Sequence, residues 1–286
     1  MIELIATLAV LTLIKSTPII YAALGGVISE RSGVINIGLE GMMAAGAFTA
    51  VIVSFATQTP VLGLLAGVAA GACFGYLLAV AATRFKVDQI VAGTGINLIC
   101  AGGAAYGLVI LFNQPGASPQ VPSLGGAYWS LVIAAFVLAG ALQWLLFHTR
   151  WGLRTRATGE NPSAVVSAGL DPLVLRTYAV VISGALAGLG GAFLSIGELN
   201  LYSDGMTAGR GFIALAAVIF GRWNPIGATA ACVVFGFFEA LQFVLQGQIA
   251  WLPANAMQAL PYIAALIALA GVTGRVRAPA ADGVPF

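Results

Sequence analysis

The sequence predicts an all-α fold, a bundle of helices that crosses a membrane several times. Hydrophobic residues make up 60% of the 286 positions, charged residues only 8%, and the mean hydropathy is +0.99. A soluble domain has about 25% charged residues, so the 12 basic and 10 acidic side chains of this chain are too few to cover a water-facing surface. The composition therefore excludes a soluble enzyme, a nucleic-acid-binding protein and a disordered regulator.

Apolar residues recur in blocks close to the length of about 20 residues that crosses a bilayer as a helix. The sequence predicts about ten membrane segments, within a range of about eight to eleven. They lie at 2–14, 17–28, 39–57, 61–83, 88–112, 128–147, 173–197, 210–221, 225–246 and 258–273. The first two and the segment at 210–221 are short, which indicates half-helices, tilted segments or re-entrant segments. We interpret 1–286 as a single transmembrane domain.

The basic residues orient the chain. They cluster after the fourth, sixth and last segments, as Arg84 with Lys86, Arg150 with Arg154 and Arg156, and Arg275 with Arg277. Even numbers of segments separate these clusters, so all three lie on one side, which the positive-inside rule makes cytoplasmic. Both termini are then expected in the cytoplasm, with 113–127 and 198–209 outside. Lys15 falls on the outer side and goes against this trend.

Small residues indicate close helix packing. Glycines recur at a spacing of four as Gly63, Gly67, Gly71 and Gly75, as Gly103 and Gly107, and as Gly184 and Gly188. In lipid, small residues on one face let helix backbones approach closely.

The residue types that bind metals are sparse. The cysteines at 73, 100 and 232 lie in apolar stretches without a CxxC pair, so with the lone His148 they predict no metal site.

Two similar stretches indicate an internal repeat. Residues 23–31 read ALGGVISER and residues 214–222 read ALAAVIFGR. Each is followed by a break that contains glycine or proline, at 32–38 and at 223–227, and then by another apolar helix. Broken helices at corresponding positions of two halves are typical of a transport pathway. The predicted segments give both copies the same orientation.

The polar stretch 148–172 predicts a short helix of about eight residues, at 161–168, between two spans. Asn161 is a good N-cap, and Pro162 suits the first helical position. Gly169 suits the position just after the helix end, and Pro172 prevents continuation. Such a helix is either a simple connector or a rigid element for docking a partner.

Three motifs identify the family. The stretches GGVISERSGVINIGLEGMMAAGAF (25–48), TGENPSAVVSAGL (158–170) and GRGFIALAAVIFGRWNPIGATAACVVFGF (209–237) resemble the permease subunits of bacterial ABC importers. The resemblance covers about 17–272. It is greatest to the ribose-type, simple-sugar and nucleoside permeases, and branched-chain amino acid permeases are more distant relatives. The SGVINIGLEG motif is most similar to the nucleoside branch, since ribose permeases have a GGIDLSVG-type sequence there.

The resemblance implies a permease in a larger complex of the bacterial inner membrane. Two permease subunits form the pathway, two cytoplasmic ATPase subunits bind their inner face, and an extracytoplasmic binding protein delivers the substrate. This chain resembles the shorter partner of a heterodimer. The helix at 161–168 corresponds to the family's coupling helix, which implies that the ATPase subunit contacts Gly159, Asn161, Pro162, Ala164 and Gly169. The lipid bilayer is the remaining partner, and no nucleic acid is expected.

Asn36, Glu40 and Glu239 are candidate pathway residues. Asn36 and Glu40 flank the first break, and Glu239 lies deep in an apolar segment. A charge at the bilayer centre costs about 2.5–3.5 kcal/mol, so Glu40 is expected to face protein, water or the inner interface. Pairing of Glu40 with Arg31, and of Glu239 with a packed neighbour, are the alternatives.

Further polar candidates lie on an apolar helix and in the outer loops. Thr94 and Asn97, with Gln89, either meet ribose hydroxyls or base edges, or bond to a neighbouring helix. The candidates for docking the binding protein, with solvated loop charges as the alternative, are Glu198, Asp204 and Arg210.

The sequence lacks the motifs of an enzyme. It has no GxxxxGK[ST], so the chain cannot hold ATP phosphates in a P-loop, and it has no HExxH and no GxSxG. We therefore expect no catalytic residue, no metal and no cofactor, with ATP used by the partner subunit. These absences argue against an intramembrane hydrolase. An ion-coupled carrier, which needs intramembrane carboxylates, is the other alternative.

Overall fold

The protein is a bundle of helices. The computed structural model describes residues 2–246, 263 and 277–286. Helices in this part are α1 (Ile2–Arg31), α2 (Leu39–Thr57), α3 (Pro60–Thr83), α4 (Gln89–Phe112), α5 (Ala127–His148), α6 (Arg150–Glu160), α7 (Pro162–Ser167), α8 (Pro172–Ala192), α9 (Arg210–Phe220) and α10 (Pro225–Leu245). A π-helical stretch, Phe193–Leu199, extends α8. No residue in the described part belongs to a β-strand, so the predicted all-α class is confirmed.

Seven of the described helices are long and apolar enough to cross a membrane. They are α1, α2, α3, α4, α5, α8 with its extension, and α10. The shorter apolar helix α9 has 11 residues, or about 16 Å at 1.5 Å per residue, which is too short to cross about 30 Å of hydrocarbon. The predicted segment 258–273 lies, apart from residue 263, outside the described residues.

The first helix differs from the prediction. The sequence suggested two segments, at 2–14 and 17–28, because Lys15, Ser16 and Thr17 interrupt the apolar pattern, but α1 is continuous. The hydroxyls of Ser16 and Thr17 donate to the carbonyl of Leu13, at 3.0 and 2.7 Å respectively. Lys15 forms an ion pair with Glu198. Each polar group thus has a partner inside the protein, so the helix needs no break there.

Because α1 is continuous, it crosses the bundle once. Its last residue, Arg31, donates from Nε to the carbonyl of Trp223 at 2.8 Å, at the end of the bundle where α6 and α7 lie. We call this the loop end, and the opposite one the far end. Tyr21 bonds to the carbonyl of Leu131, near the start of α5, so the start of α1 lies at the far end. The C-terminal segment, 277–286, lies at the loop end. In the described residues the start of α1 and the C-terminal segment thus lie at opposite ends of the bundle, whereas the sequence, with two segments in place of α1, places both termini on one side with the loop.

The glycine pattern sets the helix packing. Helices α3 and α8 share the most extensive contact of the described helices. A Cβ on Gly75 would lie 2.7 Å from the carbonyl oxygen of Val180, and one on Gly71 would overlap the backbone of Gly184. Replacing either glycine would push the two backbones apart. Gly103 differs, since a Cβ there would meet nothing within 4 Å in the described residues.

The two repeat copies run in the same direction, as predicted. The copy at 23–31 is the last part of α1, and the copy at 214–222 covers most of α9 and the turn after it. Both end at the loop end, where Arg31 bonds to the carbonyls of Arg222 and Trp223. Each is followed by a break and a long helix that runs back toward the far end.

Candidate functional site

The first break, residues 32–38, enters the interior of the bundle before α2 begins. At the start of α2, Gly41 packs on Asn97, since a Cβ on it would lie 2.7 Å from the Asn97 Cα. Asn97 is eight residues beyond the start of α4, a rise of about 12 Å. Helix α2 therefore begins inside the bundle, between neighbours that enclose its first turn.

Side chains from α4 hold this break. Gln89 accepts a hydrogen bond from the Ile35 N–H at 2.7 Å. Asn97 donates from Nδ2 to the carbonyl of Ile37 at 3.0 Å and accepts from the Gly41 N–H at 2.7 Å. Asn97 thus pairs one carbonyl of the break and one free N–H of the first turn of α2. This outcome matches the alternative for Asn97, a bond to a neighbouring segment.

Asn36 lies at the centre of the break and is fully buried. Its Nδ2 donates to the Ser183 hydroxyl of α8 at 2.9 Å. Its Oδ1 has no hydrogen-bond partner in the described residues, and neither has Nε2 of Gln89. Buried polar atoms are paired in the large majority of cases, so these two atoms are unused polar groups at the break.

Glu40 joins the first break to the start of α9. One carboxylate oxygen accepts from the Gly209 N–H at 2.7 Å, and the other accepts from the Gly211 N–H at 2.6 Å. Glu40 also lies in the first turn of α2, so the N-termini of two helices, each favourable for negative charge, meet at one carboxylate. The alternative pairing with Arg31 is not formed; Arg31 bonds to backbone carbonyls at the loop end.

A cluster of four charged side chains lies toward the far end. The Arg210 guanidinium pairs with Glu239 of α10, and Lys15 of α1 pairs with Glu198. Lys15 is also close enough to Glu239 and Arg210 to interact electrostatically with both. Both pairs are largely buried, and opposite charges compensate each other there. Glu239 thus has a packed neighbour as partner, which is the alternative given from the sequence.

The structure therefore brings Asn36, Glu40 and Asn97 together at the first break, and places the other two pathway candidates elsewhere. Glu239 is in the charged cluster. Thr94 is exposed on α4, where its hydroxyl bonds within its own helix to the carbonyls of Ile90 and Val91.

The docking candidates for a binding protein also separate. Glu198 and Arg210 are engaged in ion pairs inside the chain. Asp204 is exposed in the loop before α9, where its backbone N–H donates to the carbonyl of Gly116 at 2.8 Å.

The loop 148–172 forms two helices. The cap at Asn161 is confirmed, since its Oδ1 accepts from the Ala164 N–H at 3.1 Å, and Pro162 is the first residue of α7. Gly169 has φ +76° just after α7, the left-handed conformation that favours glycine. The helix itself has six residues instead of the eight or so that Asn161 to Ala168 would allow. Helix α6, whose Gly159 packs on the carbonyl of Arg31, was not predicted.

Two parts of this arrangement were not predicted from the sequence. The first is the ion pair of Lys15, which the charge rule treats only as an exception, although a lysine within an apolar helix already requires an acidic partner. The second is Arg176. It is 1% exposed and bonds to carbonyls of both the first break and the C-terminal segment, a role that no local pattern signals.

A family model described as the permease component of branched-chain amino acid transport systems matches residues 8–270. The chain belongs to this permease family. It is thus a multi-pass membrane permease, a transport component and not an enzyme.

Three similar proteins are named as ABC transporter permeases. The guanosine ABC transporter permease protein NupQ of Bacillus subtilis is 38% identical, over 100% of this chain and 98% of its own length. The nucleoside ABC transporter permease protein NupC of Lactococcus lactis is 38% identical, over 96% and 94%. The putative glucose ABC transporter permease protein TsgC13 of Haloferax volcanii is 32% identical, over 81% and 75%. Bacillus subtilis and Lactococcus lactis each contribute a second, more distant permease match.

Proposed function

We propose that this permease is one of two membrane subunits of an ATP-driven ABC importer for nucleosides. The observation that carries the proposal is the 38% identity, over nearly the whole chain, to two permeases named for guanosine and for nucleosides. The loop end is then cytoplasmic and the membrane is the bacterial cytoplasmic membrane. ATP is used by a separate subunit, in agreement with the lack of a P-loop motif in this sequence.

In this proposal, α7 and the end of α6 receive the ATPase subunit. The two helices border an apolar cavity of about 370 Å³. Leu153, which lines this cavity, is 61% exposed, and Val166 of α7 is 51% exposed, which suits burial by a partner. The cap at Asn161 and the proline after it hold α7 as a rigid shape. Of the ATPase contacts expected from the sequence, Asn161, Ala164 and Gly169 are exposed on this surface, whereas Gly159 and Pro162 are buried beneath it.

The moving part of the pathway is the meeting point of the first break with α9. Two helices begin there inside the bundle, and one carboxylate, Glu40, joins them. A shift of either helix start changes this junction, which suits alternating access. Thr94 remains our candidate for contact with the substrate because its side chain is exposed on α4, while Asn36, Glu40 and Glu239 are held inside the subunit.

The second permease subunit is a longer paralogue in this proposal. Its support is that two bacteria contribute both a nearer and a more distant match to this chain. An extracytoplasmic binding protein docks at the far end, where exposed Asp204 is available. Glu198 and Arg210 are less suited to that role, because their charges already have partners.

Uptake competition tests the substrate class. In cells whose other nucleoside carriers are deleted, the intact transporter is expected to take up labelled guanosine, and unlabelled nucleosides should compete while ribose and glucose should not. Uptake should stop when the ATPase subunit is inactivated and should resist uncouplers. Competition by sugars alone would overturn the nucleoside assignment, and sensitivity to uncouplers would favour an ion-coupled carrier.

A helix-cap variant tests the docking surface. Asn161→Gly with Pro162→Gly removes the cap and the preformed first turn of α7, so co-purification of the ATPase subunit and uptake should both fall while membrane insertion persists. Ser163→Gly is the matched control, because Ser163 is exposed in the same helix and does not cap it. Unchanged co-purification in the double variant would contradict the assignment.

A further inference from the structure

The C-terminal segment, 277–286, packs into the loop end. The Ala281 N–H donates to the carbonyl of Gly159 at 2.8 Å, and the Ala280 N–H donates to the carboxylate of Glu160 at 3.3 Å. On its other side, Gly283 faces Ile35, whose Cδ1 would lie 2.8 Å from a Cβ on that glycine. The segment therefore lies between the end of α6 and the first break.

One buried arginine fixes this arrangement. Arg176 of α8 donates from Nε to the Ser32 carbonyl at 3.2 Å, from Nη1 to the Val284 carbonyl at 3.0 Å, and from Nη2 to the Ala281 carbonyl at 3.3 Å. The Asp282 carboxylate also interacts with it electrostatically. A guanidinium presents five N–H donors in a rigid planar fork. The fork thus joins the first break to the C-terminal segment at fixed relative positions.

We propose that Arg176 is a positioning residue that, with the C-terminal segment, links the ATPase-binding loop mechanically to the first break. This inference rests on the proposed function. When the loop moves, Gly159 and Glu160 carry the C-terminal segment with them, and the Arg176 guanidinium transmits the displacement to Ser32. The break then shifts at the start of α2, where Glu40 meets α9.

Close packing between the break, the end of α6 and the C-terminal segment favours the transmission of movement from one to the next. A Cβ on Gly33 would lie 3.0 Å from the Ala281 carbonyl and 2.7 Å from Nη2 of Arg176, and one on Gly159 would lie 3.1 Å from the Gly33 nitrogen. The break, the end of α6 and the C-terminal segment therefore touch through backbone atoms, with no room for side chains between them. Backbone contacts of this kind move as one unit, because packed groups deform little.

The coupling ratio of the reconstituted transporter tests the proposal. Permease pair, ATPase and binding protein are assembled in proteoliposomes, and guanosine uptake and ATP hydrolysis are measured together. Arg176→Lys keeps the charge but cannot donate to three carbonyls in fixed directions, so guanosine moved per ATP should fall at least fivefold while the ATPase still co-purifies. Deletion of 280–286 should lower the ratio similarly with Arg176 unchanged. It also serves as the second variant if Arg176→Lys does not fold.

Arg222→Lys is the matched control, since Arg222 is another arginine of the loop end and its side chain is exposed; its ratio should equal that of the wild type. A merely structural role of Arg176 would lower uptake and hydrolysis together and leave the ratio unchanged, and this result would overturn the proposal. Failure of the proposed function is distinguishable, because the wild-type assembly itself would then take up no guanosine with ATP.

Discussion

The carboxylate of Glu40, in the first turn of α2, accepts a hydrogen bond from the backbone N–H of Gly211, in the first turn of α9, at 2.6 Å. Its second oxygen accepts from the Gly209 N–H, so both are engaged. Two helices that start inside the bundle are thereby joined through a single side chain. Hydrogen bonds to a charged group contribute about 1.5–3 kcal/mol each, which makes this contact a principal determinant of how α2 and α9 lie together.

Glu40→Gln is expected to loosen this junction. The amide has only one acceptor oxygen, so one N–H of the first turn of α9 loses its partner inside the bundle, at a cost of about 1–3 kcal/mol. We expect a lower thermal transition of the purified permease complex and at least a tenfold loss of uptake. Glu3→Gln, a change at an exposed glutamate of α1, should have neither effect. Normal uptake in Glu40→Gln would contradict the role of the junction.

Replacing Arg210 and Glu239 together distinguishes a structural role of this ion pair from a role in substrate binding. Arg210→Met or Glu239→Met alone leaves one buried charge unpaired, which costs about 3–5 kcal/mol, whereas replacing both by apolar residues is often nearly neutral. We therefore expect each single variant to express poorly and the double variant to recover. Protein level in the membrane and thermal stability are the measurements.

The uptake of that double variant then decides the function of the pair. If the charges serve only to hold α9 against α10, uptake recovers together with stability. A stable double variant without uptake, or with weakened binding-protein affinity, would show that one of these charges acts on the substrate or on the binding protein.

A single methyl group tests the contact between α3 and α8. Gly71→Ala places a Cβ into the backbone of Gly184, and overpacking of this kind costs about 1–3 kcal/mol. We expect a clear fall in the thermal transition of the complex. Gly103→Ala is the control, because a Cβ there meets nothing within 4 Å in the described part of the chain. Equal effects at the two positions would contradict the packing described.

Cysteine labelling tests the sidedness of the N-terminus. In a Cys73→Ser background, an impermeant maleimide added to intact cells should label Glu3→Cys and Gln120→Cys, both exposed positions toward the far end. Ser167→Cys at the end of α7 should react only after permeabilisation. Labelling of Glu3→Cys only after permeabilisation would mean that α1 does not cross the membrane as one helix.

Lowering the pH should strengthen the docking of the C-terminal segment, 277–286, at the loop end. Burial raises the pKa of Asp282 from 3.8 to about 7, although Arg176 of α8 and a backbone hydrogen bond from Gly283 oppose the shift; Glu30 of α1 also faces this carboxyl. A carboxyl whose pKa rises on docking takes up a proton, so docking is favoured at low pH and weakens as the pH rises through about 7.

Hydrogen exchange of residues 280–286, corrected for its intrinsic pH dependence, measures this effect. Protection should be greater at about pH 5.5 than at about pH 8.5. Asp282→Asn should reduce the difference between the two conditions. Protection that increases with pH would have the wrong sign and would refute the assignment.

The helices were largely predictable because their lengths follow from local composition. Each span needs about 20 apolar residues whatever it packs against, so the predicted segments at 39–57, 61–83 and 88–112 agree closely with α2, α3 and α4. The cap at Asn161 was predictable for the same reason, since its partner lies three residues away. The prediction of two segments in place of α1 was wrong, because an ion pair with the distant residue Glu198 removes the energetic cost of burying Lys15 in the helix.

The sequence by itself determined that this chain spans a membrane, where most of its long helices lie, and that α7 is capped. Only the tertiary structure decided which polar groups pair, because the partners of Glu40, Glu239 and Arg176 lie 29 to 171 residues away along the chain. The local sequence shows that each of these polar groups needs a partner in lipid. It does not show which residue is that partner, because the partner depends on how the helices pack.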